Sequence, residues 1–182
     1  MSGYNYRYLI ALGSNLGNRT RYLSSAVSLI AERVGEVIAQ SPIWETKPVG
    51  PGDGLFLNGA LVCKSPLDPE SAMAELLAIE ATLGRIREER WGNRIIDLDL
   101  LLALDHQGRA IVLQTEMLTL PHPLMLERDF VLIPSANIAG EWIHPVSGTS
   151  IKASLAHLEQ KGQKNALRAL PQGVSAESEI HL

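Results

Sequence analysis

The sequence lacks most of the features that mark disulfide-rich, membrane or general nucleic-acid-binding proteins. Its one cysteine, Cys63, excludes an intrachain disulfide, and a zinc site built on cysteine ligands is not expected. The apolar run before Gly13 is too short for a signal peptide or a membrane-spanning helix. The net charge of −4 argues against general affinity for nucleic acids or membrane surfaces. A hydrophobic content of 46% is that of an ordinary globular protein. We therefore expect a soluble protein of the cytoplasm.

Two aspartates stand at the head of the apolar run 95–103, which predicts a buried β-strand. Strand side chains alternate between faces, so Asp97 and Asp99 share one side, about 6.5 Å apart along the strand. The other side is predicted to carry Ile96, Leu98, Leu100 and Leu102. On a helix the same spacing would place the carboxylates about 200° apart. Two carboxylates beside a core require a cation, and Mg²⁺ accepts carboxylate and phosphate oxygens together.

Arginines precede this pair. Arg85, Arg87, Arg90 and Arg94 fall within ten residues. Their forked donors match phosphate oxygens. A surface salt-bridge cluster is the alternative, and such clusters are common and contribute little stability. We favour the phosphate-and-metal interpretation, because a solvated face needs no continuous apolar strand beneath it.

The N-terminal part begins with a predicted strand at 6–12, a loop at 13–18 and a helix whose apolar stripe starts at Leu23. This order is similar to a phosphate-binding P-loop, but the pattern fails. Gly13 and Gly17 are separated by three residues instead of four, and no Gly-Lys-Ser/Thr follows. The loop is therefore interpreted as structural first, with a role in lining a site left open.

Two following segments allow both a structural and a functional interpretation. Residues 46–55 hold two prolines and three glycines, which is typical of a mobile lid or of a solvated connection. The next predicted strand, 55–63, places Phe56 and Asn58 on one face. A buried asparagine must find hydrogen-bond partners, either in the backbone or in a bound polar heterocycle.

Glu80 and His122 are likewise ambiguous. Glu80 borders the apolar stripe of a helix predicted to start at the N-cap Asp68 and to end near Gly84. A salt bridge to an arginine is the ordinary role there. His122 lies between two prolines, where it can contact a phosphate or donate a hydrogen bond to a backbone group.

The element order favours an α+β fold. Strands and helices interleave, but Asp105 to Gly108 forms a tight hairpin turn after the central strand, which favours antiparallel pairs over a doubly wound parallel sheet. A last helix is predicted at 150–160. We assign residues 1–160 to one domain and 161–182 to a polar, loosely ordered tail.

Residues 90–99, Arg-Trp-Gly-Asn-Arg-Ile-Ile-Asp-Leu-Asp, resemble the signature R-W-G-x-R-x-x-D-L-D of the 6-hydroxymethyl-7,8-dihydropterin pyrophosphokinase family. Other segments match that family in the same order: ALGSNLG at 11–17, ETKPVGP at 45–51, FLN at 56–58 and LTLPHP at 118–123. The resemblance covers residues 6 to about 158. It implies a three-layer α/β/α fold with a mainly antiparallel, ferredoxin-like sheet. It also implies transfer of pyrophosphate from ATP to the pterin hydroxymethyl group, with AMP as the second product.

The resemblance assigns roles to individual residues. The implied catalytic residues are Arg85, Arg94, Asp97 and Asp99, of which Asp97 and Asp99 would hold two Mg²⁺ ions with bound ATP. The implied ATP-binding residues are Glu80, Arg87, Trp91, Arg94, Leu100, Thr119, His122 and Arg128. The implied pterin-binding residues are Thr46, Val49, Phe56, Asn58 and Phe130.

Four residues depart from the family pattern. Asn93 and Lys47 stand where prolines are usual, Met117 where a basic residue can occur, and Pro123 where some members have an aromatic residue. None is an implied metal ligand or catalytic arginine, so activity is expected. We expect a monomer, with a weak dimer as the alternative, and small-molecule partners without nucleic acid or membrane. A non-catalytic nucleotide sensor and a two-metal phosphoesterase are the competing hypotheses.

Overall fold

The computed structural model describes residues 3, 5–50, 54–86, 93–163 and 165–171. The strands are β1 Tyr6–Ser14, β2 Glu36–Gln40, β3 Trp44–Thr46, β4 Phe56–Ser65, β5 Asp97–Leu104, β6 Leu113–Gln114, β7 Thr119–Leu120 and β8 Ala166–Ala169. The helices are α1 Arg19–Arg33, α2 Pro69–Thr82, α3 Asp129–Ala139 and α4 Ile151–Gln160, with a 3₁₀ turn at Met125–Glu127. Within these ranges every helix is too short or too polar to cross a bilayer.

The main sheet has six strands in the order β5-β1-β4-β3-β8, with β2 also paired to β4. Its strand pairs are antiparallel. β6 and β7 form a separate ribbon. From β1 to β5 the chain follows the β-α-β-β-α-β order of ferredoxin-like folds, with β2 and β3 sharing one position. The predicted α+β fold is confirmed.

Each face of the sheet is covered by two helices, which makes three layers. Tyr8, Ile10 and Leu12 of β1 pack on the side of α1 and α2. Leu9 and Ala11 pack on the side of α3 and α4. This is the alternation predicted for β1. Each fully buried aliphatic side chain contributes about 1.5–3 kcal/mol, so the sheet is held from both sides.

The sequence signals at the ends of α2 are also confirmed. The Asp68 carboxylate caps the helix, accepting from the Ser71 backbone N–H at 3.1 Å and from its hydroxyl at 2.8 Å. Pro69 occupies the first turn, where no backbone donor is needed. Gly84, with φ of +95°, lies just beyond the helix. These signals fix where Glu80 leaves the last turn of α2, beside the site described below.

One predicted orientation in β5 is wrong. The β1–β5 register shifts, because Ile10 pairs with Leu100 but Leu9 pairs with Leu102. Leu101 is the extra residue of a β-bulge, so alternation restarts after it. Leu101 and Leu102 therefore both pack on the α3/α4 side. Ile96, Leu98 and Leu100 lie on the α1/α2 side as predicted.

The prediction of a loosely ordered tail at 161–182 is wrong for Ala166–Ala169, which form strand β8. β8 pairs with β3, although its sequence carries little apolar periodicity. Tertiary contacts stabilise this strand, including hydrogen bonds to the buried Asp129 carboxylate just before it. Residues 172–182 lie outside the described part of the chain.

Candidate active site

The site is built on a row of residues across three neighbouring strands. Gly13 of β1 pairs with Asn58 of β4 on one side and with Asp97 of β5 on the other. Adjacent strands lie about 4.8 Å apart, so the backbones of Asn58 and Asp97 are about 10 Å apart. A Cβ at Gly13 would lie 2.8 Å from Asn58 Oδ1. Because glycine has no Cβ, the backbone between the Asn58 amide and the Asp97 carboxylate is free of side chains. We call this strip of backbone at Gly13 the floor of the cavity.

The acidic pair lies where strand alternation predicts it. Asp97 and Asp99 line the same cavity, on the side of the sheet that faces α3. Burial, together with the neighbouring Asp97 carboxylate, raises the pKa of Asp99 to about 7. Arg128 opposes that rise in pKa, Glu80 adds to it and Arg94 opposes it. The arrangement concentrates negative charge that a cation would relieve.

Two arginines hold Asp97. Arg85 Nη1 lies 2.8 Å from Asp97 Oδ1, and Arg94 Nη1 lies 2.8 Å from Asp97 Oδ2. Each carboxylate oxygen therefore has its own guanidinium partner. The ion-pair cluster that was the alternative for this stretch is present, but it is partly buried and surrounds the acidic pair. The arrangement is that of a pocket for anionic groups.

Glu80 anchors this cluster from beneath. Its side chain is 3% exposed, and its Oε1 lies 2.5 Å from Arg85 Nη1. The same oxygen accepts from the backbone N–H of Leu98 at 2.8 Å. Leu98 lies between the two aspartates, so Glu80 joins α2 to β5 at the site. The salt bridge that was the ordinary interpretation of Glu80 is present. The contact with ATP that the resemblance implies for Glu80 stays a prediction.

The loop after β1 contributes a residue that sequence reasoning missed. The Asn15 side-chain Oδ1 accepts from the Arg94 backbone N–H at 2.6 Å, and the Asn15 backbone N–H donates to the Arg94 carbonyl at 3.1 Å. Asn15 Nδ2 also donates to Asn93 Oδ1 at 3.0 Å. These three hydrogen bonds hold the backbone at Asn93 and Arg94, just before β5, against the loop after β1. Two sequence signals pointed to this loop, its position directly after a strand and the family-like segment ALGSNLG at 11–17, but neither assigned a contact to Asn15. Gly13 and Asn15 line the cavity, as the site-lining alternative for this loop predicted.

An apolar pocket continues from the acidic pair. All five residues implied for the pterin line the cavity: Thr46, Val49, Phe56, Asn58 and Phe130. Asn58 Nδ2 donates to Thr46 Oγ1 at 2.6 Å, which fixes the amide orientation. The Arg128 guanidinium carbon lies 5.8 Å from the centre of the Phe130 ring. A flat polar ring would fit between aromatic walls with an amide at its edge.

The residues implied for the nucleotide are more dispersed. Leu100 is 1% exposed in the α1/α2-side core, so only its backbone could meet a ligand. Thr119 is exposed on β7. Arg128 lines the cavity beside Arg94. Arg87 and Trp91 lie outside the described residues.

His122 is half-buried and hydrogen-bonded locally. Its Nδ1 accepts from the backbone N–H of Leu124 at 3.2 Å, and its own backbone N–H donates to the Leu101 carbonyl at 2.9 Å. Burial lowers the pKa of His122. The Arg128 charge lowers this pKa further, and the Asp97 carboxylate raises it. The imidazole does hydrogen-bond the backbone, but as the acceptor and not as the predicted donor.

Comparison with known proteins identifies the family of the chain. Residues 9–140 match the family model of 7,8-dihydro-6-hydroxymethylpterin-pyrophosphokinase. The chain is 39% identical over 158 residues to a 2-amino-4-hydroxy-6-hydroxymethyldihydropteridine pyrophosphokinase of Methylorubrum extorquens, covering 86% of this chain and 96% of that protein. It is 45% identical over 131 residues to the enzyme of that name from Bacillus subtilis. The match covers 71% of this chain and 75% of that protein.

Solved structures show the same fold. A crystal structure of HPPK-DHPS in complex with substrates matches with a TM-score of 0.71 at 15% identity, over 91% of this chain and 47% of that one. HPPK-DHPS A437G of Plasmodium falciparum matches with a TM-score of 0.71 at 17% identity. That match covers 90% of this chain and 49% of the solved chain. This chain thus spans about half the length of these solved chains. On the sequence match, the chain belongs to the 7,8-dihydro-6-hydroxymethylpterin-pyrophosphokinase family.

Proposed function

We propose that the cavity over Gly13 is where pyrophosphate passes from ATP to the pterin. As a member of its family, the chain is a pyrophosphokinase of folate biosynthesis that converts ATP and hydroxymethyldihydropterin to AMP and the pterin diphosphate. The observation that carries the proposed site is the row of Asn58, Gly13 and Asp97 across three paired strands. In this row, Asn58 lies at the pocket proposed for the flat pterin ring, and Asp97 lies at the arginine and carboxylate cluster proposed for the phosphates.

The acceptor pocket would bind the pterin by stacking and by its amide-like edge. Phe56 and Phe130 provide two aromatic walls, and offset stacking contributes about 0.5–1.5 kcal/mol beyond burial. Asn58 already donates its Nδ2 to Thr46, so its Oδ1 is left to accept from a ring N–H. Thr46 and Val49 would add backbone contacts. The pocket thus selects a heterocycle with a defined donor and acceptor edge.

The donor set of the acidic pair fits magnesium. Asp97 and Asp99 offer only oxygen ligands, and the described ranges contain no group of three or more histidine, cysteine, aspartate or glutamate side chains placed to hold a metal ion by themselves. Mg²⁺ suits such a site, because it retains waters and completes its shell with phosphate oxygens. We propose that these two residues hold two Mg²⁺ ions when ATP is bound. The metal would supply Lewis-acid neutralisation of the charge on the attacking and leaving oxygens.

The arginines would exchange partners when the triphosphate enters. Arg85 and Arg94 each neutralise one oxygen of Asp97. Phosphate oxygens offer them equivalent bidentate acceptors, and turning to the phosphates leaves the Asp97 carboxylate free to act as a ligand. Glu80 keeps Arg85 at the site during this exchange, because its own oxygen stays bonded to Leu98 N–H. The arginines would then offset charge that develops in the transition state.

The remaining nucleotide contacts are proposals from the resemblance. They are Arg87, Trp91, Leu100, Thr119, His122 and Arg128, with Leu100 acting through its backbone. In the reaction, the hydroxymethyl oxygen forms a bond to the β-phosphorus while the bond from that phosphorus to the α,β-bridging oxygen breaks. AMP leaves with the electron pair, and the hydroxyl proton passes to solvent. Positioning and charge stabilisation supply the catalysis, without a covalent intermediate on the protein.

Product analysis tests this function directly. Incubation with ATP, Mg²⁺ and 6-hydroxymethyl-7,8-dihydropterin should yield AMP and the pterin diphosphate in equal amounts. Formation of ADP would refute the proposal, and binding of ATP without turnover would support the nucleotide-sensor alternative. Asp97→Ala should nearly abolish turnover, and a rate equal to that of the parent would remove the metal assignment.

We also propose that the protein acts as a cytoplasmic monomer. The single cysteine, Cys63, is buried with a free thiol, so it is not placed to form a disulfide between two chains. Sedimentation velocity should give a single species of 19.8 kDa, and a stable dimer would refute the monomer.

A further inference from the structure

A buried carboxylate outside the proposed chemistry links the C-terminal segment to the pocket. Asp129 opens α3 and is 1% exposed. Its Oδ2 accepts from the backbone N–H groups of Asn165 at 2.5 Å and Ala166 at 3.1 Å. Its Oδ1 accepts from Asn165 Nδ2 at 3.1 Å and from Phe130 N–H at 2.9 Å. Burying a carboxylate is costly unless such donors satisfy it, so this contact holds the C-terminal segment firmly.

The same asparagine holds the opposite wall of the pocket. The Asn165 carbonyl accepts from the backbone N–H of Lys47 at 2.8 Å. Lys47 lines the cavity directly after β3, and Phe130 lines it directly after Asp129. Asn165 therefore ties two walls of one cavity to each other. We call the contacts of Asn165 with Asp129 and Lys47 the C-terminal clamp.

β8 continues the same support along β3. Thr46 pairs with Ala166 and Trp44 pairs with Ala169. The Leu170 backbone N–H donates to the Ile43 carbonyl at 2.7 Å. β3 has only three residues, and β8 gives it a second hydrogen-bonded neighbour opposite β4. The strand that supplies Thr46 is thereby held from both sides.

We propose that residues 165–170 position the pterin pocket, with Asp129 and Asn165 as positioning residues. The C-terminal clamp fixes the separation between the wall at Thr46 and Lys47 and the wall at Phe130. Residues 165–170 lie outside the range 9–140 that matches the family model, so the pocket is completed by chain beyond that match. The inference rests on the proposed function, since it takes the pocket to bind the pterin.

Asp129→Asn tests the C-terminal clamp. The change preserves the side-chain volume but turns one of the two carboxylate oxygens into an NH₂ group that cannot accept. Whichever way the amide turns, two of the four donors lose their acceptor. We expect the KM for the pterin to rise about tenfold, as hydrogen bonds to a charged group would predict. The kcat and the KM for MgATP should stay within about twofold of the parent. Asn165→Ala, which removes only the bond from Nδ2, should show a smaller rise in the same constant.

Asp68→Asn is the matched control. Asp68 also accepts a backbone N–H at the start of a helix, but it lies about 18 Å along α2 from Glu80. This variant should lower the unfolding temperature without raising the pterin KM. An unchanged pterin KM in Asp129→Asn, with faster hydrogen exchange at the Lys47 amide, would overturn the proposal. Equal changes in kcat and in both KM values would also overturn it, since they indicate a general loss of structure.

Pterin binding separates this inference from the proposed function. A parent protein that forms no AMP would refute the function. Calorimetry with 6-hydroxymethylpterin and an α,β-methylene ATP analogue would then still decide the role of the clamp. Binding weakened about tenfold in Asp129→Asn supports it, and equal binding by the parent and the variant overturns it.

Discussion

Replacing Gly13 with alanine tests whether the floor between the pterin pocket and the acidic pair must stay free of side chains. The new Cβ would lie 2.8 Å from Asn58 Oδ1, whereas ordinary contact begins at 3.4 Å. The difference requires Asn58 to shift by about 0.6 Å. Asn58 is bonded to Thr46 at 2.6 Å, so the shift breaks or lengthens that bond and turns the amide away from the ligand.

The expected size follows from the hydrogen bond that is lost to the pterin. An unsatisfied polar partner costs about 1–3 kcal/mol, which corresponds to a rise of about 5- to 150-fold in the KM for the pterin. The KM for MgATP should not change, because the arginine cluster lies on the other side of the floor. Stability should change by less than about 1 kcal/mol, since alanine also restricts the unfolded chain.

Steady-state AMP formation, with the pterin varied at saturating MgATP, measures this effect. Gly59→Ala is the control, because its Cβ would lie 2.8 Å from Ile43 Cδ1, on the opposite face of the sheet. It should affect stability but not the pterin KM. A pterin KM for Gly13→Ala within about twofold of the parent, or an equal rise in both variants, would refute the reasoning.

Three further predictions follow from the same geometry. Arg94→Ala should reduce kcat by about 10²-fold or more, because one strong donor to the transition state is removed, and a loss under tenfold would contradict its assigned role. Glu80→Ala should lower the free energy of unfolding by about 3–5 kcal/mol in urea titrations, since it leaves the Arg85 guanidinium and the Leu98 N–H without the buried carboxylate, whereas a loss below about 1 kcal/mol would argue against this anchor. Burial lowers the pKa of His144, so the unfolded chain binds a proton first and stability should fall as pH drops below about 6.5. His144 Nδ1 accepts from the Ser147 N–H at 3.1 Å. His144→Asn, which keeps an acceptor for that donor, should lose less stability on acidification than the parent, and equal losses would count against the assignment.

The local parts of the fold could be predicted because their signals lie within a few residues. The alternation in β1, the Asp68 cap and the Gly84 stop each depend on neighbours in sequence. The bulge at Leu101 could not be predicted, because it arises from how β5 pairs with β1. β8 was missed for a related reason, since its stability comes from β3 and from Asp129, far away in the chain.

The candidate site divides in the same way. The spacing of Asp97 and Asp99 predicted a shared face, and the arginine-rich stretch predicted an anionic partner. The pairing of Glu80 with Arg85 was among the alternatives, because the two residues lie close in sequence. Asn15 joins Arg94 across 79 positions, and no local pattern reports such a contact. Long-range hydrogen bonds of this kind depend on the tertiary fold, which brings the two segments together.

The pairing of β8 with β3 also decides what the sheet presents to other chains. A strand of three residues with unpaired N–H and C=O groups, beside an apolar pocket, would be a template for pairing with another molecule. β8 covers it with four residues that include Arg168, whose side chain is 70% exposed. A charged side chain on the exposed edge strand disfavours such pairing. Loss of residues 165–170 should therefore promote self-association and aggregation as well as loosen the pocket.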